Sequence, residues 1–111
     1  MIVVAVRNNM KETYFPFAFF VGKIVPTELA KISIMTNALQ YGTGVFGGIR
    51  VYQSFDKKSL NIFRIEDHYQ RFLKSLRIIN KSIKYSHGKL VDITLELAKK
   101  NRPKIFTKDK I

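Results

Sequence analysis

The chain has 111 residues, 46% of them hydrophobic and 13% aromatic, a composition that fits one folded domain with a single core and excludes an intrinsically disordered chain. Its 20 Lys+Arg against 8 Asp+Glu give a formal charge of +12. The positives are spread along the chain with no helix-turn-helix, zinc-finger or RNP-type motif, so they read as a solvated basic surface and not as a nucleic-acid groove. There is no cysteine, which excludes disulfides and thiol chemistry, and the two histidines, His68 and His87, match no metal-ligand spacing.

Residues 1–13 form a lead-in, readable as an edge strand or as disordered. Its apolar run, residues 2–6, is too short to span a bilayer and is closed by Arg7; with no signal-peptide pattern, the chain reads as soluble and cytoplasmic. Residues 17–21, a Gly22-Lys23 turn and Ile24-Val25-Pro26 predict a β-hairpin that Pro26, lacking an N–H, should end. Residues 30–34 alternate like a short strand. Residues 44–53 also alternate, with Phe46, Gly48, Arg50 and Tyr52 on one face, and predict a strand shaped like the floor of a site. Gly47-Gly48 equally fits a bulge or tight bend. A polar turn over 54–59 and a return strand over 60–64 follow.

Ile65, Tyr69, Phe72, Leu73, Leu76 and Ile79 fall at helical spacing, predicting an amphipathic helix over 65–79 with Glu66 and Asp67 in its first turn and Arg71 opposite the apolar stripe. Residues 90–100 predict a second helix whose apolar stripe, Leu95 included, is broad; Arg102-Pro103 should stop it. The expected domain covers residues 14–101, followed by a basic tail over 102–111. The class is α+β, an antiparallel sheet with two helices on one face.

No nucleophile elbow, Walker loop or dinucleotide fingerprint occurs, and the carboxylates are too scattered for a paired acid/base site. What remains is Arg50 and Arg71 with Tyr41 and Phe46. A guanidinium fork suits carboxylate and phosphate oxygens, while the aromatics supply a hydroxyl and an apolar wall. Each also has an ordinary reading: Arg71 as a solvated helix residue, Arg50 as an ion-pair partner, Tyr41 and Phe46 as core.

Several blocks in order carry a family resemblance. They are Ala18-Phe19-Phe20-Val21-Gly22-Lys23-Ile24-Val25-Pro26, Thr36-Asn37-Ala38-Leu39-Gln40-Tyr41-Gly42-Thr43, Phe46-Gly47-Gly48-Ile49-Arg50 and Asp67-His68-Tyr69-Gln70-Arg71. Together they resemble the amino-terminal domain of the branched-chain amino-acid aminotransferases, fold-type IV pyridoxal-phosphate enzymes. The resemblance implies amino-group transfer between leucine, isoleucine or valine and 2-oxoglutarate, with pyridoxal 5'-phosphate as cofactor and a homo-oligomeric assembly. It assigns Arg71, the end of an EHxxR-like stretch, to the cofactor phosphate. Tyr41, Phe46, Gly48 and Arg50 fall to the substrate pocket, with Tyr41 serving across the dimer interface.

The chain departs from the pattern at Gly47, where the family has glutamate, and at Asn37 and Gln40, where histidine is common. It ends before the domain bearing the cofactor-binding lysine, so no residue here is assigned a covalent role, and the chain is expected to be inactive without a complementing second domain or subunit. Two other readings are a stand-alone interaction module derived from that domain and, more distantly, a basic nucleic-acid binder.

Overall fold

Aromatic and β-branched residues over 13–26 set up the first sheet. In a computed structural model, which describes residues 3–8, 13–56 and 58–108, β1 (Val3–Asn8), β2 (Thr13–Phe20) and β3 (Lys23–Pro26) pair antiparallel in the order β1-β2-β3. The lead-in thus contains an edge strand. The expected hairpin is present, but its turn is Val21-Gly22 and not Gly22-Lys23: Lys23 lies in β3 opposite Phe20, and Phe17 lies opposite Pro26. Its two turn residues, Val21 and Gly22, both have positive φ, 48° and 88°, the pattern of a type I′ turn that matches strand twist.

β2 is the central strand and is buried on both faces, since the neighbours Ala18 and Phe19 are both inaccessible. Pro16 sits inside it beyond the last β2–β3 pair, Phe17 with Pro26, and within the stretch where the β1–β2 register shifts, so its missing N–H falls at no strand pair. A 3-10 turn, Thr27–Leu29, follows β3 and is tied back by the Thr27 hydroxyl donating to the Phe15 carbonyl at 2.7 Å.

The chain divides into two compact units, Met1–Lys31 with Asp92–Ile111, and Ile32–Val91. In the first, Phe15, Ala18 and Phe19 of the sheet are buried, as are Ile93, Thr94, Leu97, Ala98 and Asn101 of α3 (His87–Lys108). Lys100 also places its ammonium 5.3 Å from the centre of the Phe17 ring. Leu95, counted in the expected stripe, faces solvent.

α3 does not stop at Arg102-Pro103 but runs through Pro103. Proline inside a helix removes one N–H and crowds the preceding turn, at about 3 kcal/mol. Here it comes after four turns are already formed, where each further residue adds to an existing nucleus.

The second unit holds α1 (Asn37–Gln40), a two-stranded sheet of β4 (Val51–Gln53) and β5 (Leu60–Ile62), and α2 (Ile65–Ile78). The expected strand over 44–53 is real only from Val51. A strand needs a partner, and β5 provides three residues plus one further bond, Phe63 N–H to the Arg50 carbonyl at 3.0 Å. Residues 42–50 have no regular structure, as four glycines among them lead one to expect. The alternation over 30–34 likewise finds no partner strand; Ile32 and Ile34 are exposed.

The class is α+β and antiparallel as expected, with the strands divided between two sheets in place of one. Among the described residues, no helix is long and apolar enough to cross a membrane and no His/Asp/Glu cluster could hold a metal ion.

Candidate functional site

Within the second unit α2 is fixed at both ends. At its start Arg64 takes a left-handed conformation (φ 50°), and its Nε–H donates to Asp67 Oδ2 at 2.7 Å. At its end Asn80, with φ 59°, donates to the Arg77 carbonyl while Lys81 N–H reaches the Leu76 carbonyl at 2.8 Å. These two bonds make a Schellman stop with asparagine in the usual glycine place. Ile65 and Tyr69 bury the inner face, and Phe72 meets Tyr69 edge-on with ring centres 6.3 Å apart.

The outer face carries His68, Arg71 and Ser75 on adjacent turns. Arg71 Nη2 lies 3.0 Å from His68 Nδ1, and the Ser75 hydroxyl donates to the Arg71 carbonyl at 3.0 Å. A guanidinium can only donate, so a hydrogen bond here requires His68 Nδ1 to accept, which is the role of the Nε2–H tautomer. Phe46, Gly47 and Ile49 from the glycine-rich segment complete, with His68, Arg71, Phe72 and Ser75, a concavity of about 50 Å3. Gly47 lies close to the Phe72 ring, where a β-carbon would make ordinary contact at 3.9 Å.

The structure therefore brings two of the expected site residues, Phe46 and Arg71, to one concavity. The other three are not among its lining residues, although Gly48 lies between two that are. Tyr41 ends α1 and is 78% exposed; the turn that follows uses Gly42 at φ 66°, a conformation costly for any residue with a β-carbon. Gly48 faces open space, since a β-carbon there would meet nothing within 4 Å. Arg50 is exposed, and its guanidinium has no partner among the described residues.

Those placements remove the core reading for two residues. Tyr41 is not core, and Phe46, 94% exposed, is still less so. No carboxylate pairs with Arg50 or Arg71 among the described residues; the nearest acid on α2, Asp67, is engaged by Arg64. Sequence reading did not single out His68, Phe72 or Ser75 as lining residues. Spacings of three and four along α2 were the available signal, since positions 68, 71, 72 and 75 neighbour one another on a helix.

Chemically, the concavity offers a guanidinium within hydrogen-bond distance of a histidine nitrogen, beside an aromatic wall. That set fits an oxyanion such as a phosphate, and a volume of about 50 Å3 holds a group of that size but not an attached ring.

No protein-family model matches the chain. A probable branched-chain-amino-acid aminotransferase of Aquifex aeolicus is 46% identical over 92 residues, covering 83% of this chain and 30% of the relative. Among solved structures, the branched-chain aminotransferase of Thermoproteus uzoniensis with norvaline matches with TM-score 0.72 and 33% identity over 78% of this chain and 29% of that one. The T.th. branched-chain amino acid aminotransferase complexed with N-(5'-phosphopyridoxyl)-L-glutamate matches with TM-score 0.72 and 34% identity over the same shares. In sequence and in fold, this chain is homologous to a segment of the branched-chain aminotransferases, and it spans about 30% of the length of the relatives it matches.

Proposed function

We propose that the chain is the amino-terminal domain of a pyridoxal-phosphate-dependent branched-chain aminotransferase, moving an amino group between leucine, isoleucine or valine and 2-oxoglutarate. The observation that carries this reading is the exposure, within one unit, of two aromatics and two arginines whose charges no described carboxylate neutralises. With 20 Lys+Arg against 8 Asp+Glu most cations lack an acid, so the aromatics carry the weight: rings left 78% and 94% exposed are apolar surface of the kind that a second domain or subunit covers. The homology to aminotransferases gives that surface its chemistry.

In this reading Arg71 binds the cofactor phosphate, with two parallel N–H donors for two oxygens. Arg50 binds a carboxylate of the amino or oxo acid, Phe46 lies against its aliphatic side chain, and the Tyr41 hydroxyl orients it. Gly48, with open space where a side chain would stand, lets substrate approach the backbone. When bound, pyridoxal phosphate supplies the electron sink for amino-group transfer. The lysine that holds it belongs to a second domain or subunit, and the working unit is a homo-oligomer in the cytoplasm.

The test is cofactor retention. In an assembly of this chain with a lysine-bearing second domain, Arg71→Ala should weaken retention of pyridoxal phosphate by about 1.5–3 kcal/mol, the worth of a charged hydrogen bond. Lys74→Ala, one turn along the same helix, should leave retention nearly unchanged. Equal losses from the two substitutions, read by the absorbance of the bound cofactor, would show that Arg71 has no special part in holding it.

A further inference from the structure

The partner of Arg71 is a histidine nitrogen, not a carboxylate. We propose that His68 is a positioning residue for Arg71, fixing the guanidinium in the concavity while leaving its charge intact. The inference rests on the reading of Arg71 as an anion ligand and adds the group that prepares it.

Three observations support it. First, the bond runs between Arg71 Nη2 and His68 Nδ1 at 3.0 Å, and only the neutral Nε2–H form of the ring can accept there. Second, both side chains line the same concavity, whose other walls are apolar or neutral (Phe46, Gly47, Ile49, Phe72, Ser75), so no other charged group competes for Arg71 inside it. Third, the carboxylate one residue before His68, Asp67, is drawn to Arg64 at 2.7 Å and so is kept off Arg71. An acid in the place of His68 would also orient the guanidinium, but it would neutralise the charge that an incoming anion needs.

The physical gain is preorganisation. A free arginine side chain loses rotamer freedom when it closes on an anion. Holding one Nη beforehand removes part of that loss, equivalent to about two- to tenfold in affinity for one immobilised side chain. The neighbouring Ser75–Arg71 bond fixes only the backbone carbonyl and cannot do this.

The experiment titrates the full 111-residue chain with inorganic phosphate at fixed ionic strength, following binding by isothermal titration calorimetry, for wild type, Arg71→Ala, His68→Asn, His68→Leu and His68→Asp. Asparagine Oδ1 falls where Nδ1 stood, so His68→Asn should restore binding to near wild type. His68→Leu should weaken it about two- to tenfold, and His68→Asp should weaken it further. Long-range proton–nitrogen spectra of wild type should show His68 with a bare Nδ1 and a protonated Nε2, a signature that a merely structural role would not require. Phosphate binding lost in Arg71→Ala but unchanged in His68→Leu, or a protonated Nδ1 in the wild type, overturns the proposal and leaves the anion reading standing. No phosphate binding by wild type, or equal binding by Arg71→Ala, overturns the anion reading and this proposal with it.

Discussion

Asn101 is hydrogen-bonded to both backbone polar groups of Phe17, 84 residues away: Phe17 N–H donates to Asn101 Oδ1 at 3.0 Å, and Asn101 Nδ2 donates to the Phe17 carbonyl at 3.0 Å. A further bond, Nδ2 to the Leu97 carbonyl at 3.2 Å, completes the amide, which is fully buried. Phe17 lies where the β1–β2 register breaks, so the strand that should have satisfied it has slipped away. A helix side chain stands in for the missing strand, and in doing so it ties α3 to the central strand of the first sheet.

Replacing that amide should therefore be costly. Asn101→Leu leaves a partly buried N–H and C=O unpaired, and the expected loss is about 2–4 kcal/mol for two orphaned groups. Asn101→Asp keeps the acceptor for Phe17 N–H but turns the second oxygen on two carbonyls, and it should also be destabilising. Urea unfolding of the three proteins checks this. A midpoint for Asn101→Leu equal to that of the wild type would show that the two bonds contribute nothing net.

The hairpin between β2 and β3 carries a strained residue. Val21 is β-branched and sits at φ 48°, where such a side chain crowds the following carbonyl. Val21 is also largely exposed, so little packing opposes its replacement. Val21→Asn, which gives the Asn-Gly pair favoured by type I′ turns, should stabilise the domain by about 1 kcal/mol. An unchanged or lowered melting temperature would mean that Val21 is not strained.

Turn 54–59 contains a pH-sensitive lock. Asp56 Oδ1 accepts from the Ser54 hydroxyl at 2.6 Å and from Lys58 N–H at 3.0 Å. The Ser54 bond first, and the Lys58 amide second, hold the Asp56 carboxyl below its ordinary value of 3.8. A depressed folded value means that the stabilisation is fully present above 3.8 and is lost as pH falls through the lower folded value. Ser54→Ala should bring the carboxyl back toward its ordinary range, read by carbon NMR titration of Asp56. Identical titrations with and without the Ser54 hydroxyl would remove it as the cause.

Exposed aromatics should set the association behaviour. Tyr41, Phe46 and Phe55 are 78%, 94% and 106% exposed on a chain of net charge +12. Charge repulsion is screened beyond about 8 Å at physiological ionic strength, while apolar attraction persists. Sedimentation should show oligomers growing as salt is raised, and Phe46→Ser should reduce them. A sharp, concentration-independent monomer at low and moderate salt would show that these rings need no cover.

Much of this was legible in the sequence because the signals are local. A period of three to four placed α2, and an aromatic run with its glycine turn and closing proline placed the hairpin, since backbone preference and side-chain direction are properties of a few neighbouring residues; the period-two readings over 30–34 and 44–50 failed for want of a partner strand. The aminotransferase resemblance was legible for a related reason: it rests on short blocks whose order is written in the chain.

Tertiary structure decided what depends on distant partners. It alone showed that residues 44–50 lack a strand to pair with, that the stripe of α3 excludes Leu95 but includes Asn101, and that α3 continues past Pro103. Two side chains from separate segments, Phe46 and Arg71, meet at one concavity, while Tyr41 and Arg50 remain in solvent. The reason is physical: whether a strand forms, an amide is buried or an arginine is neutralised depends on which groups the fold brings within about 3–4 Å, and sequence spacing does not encode that distance for residues far apart in the chain.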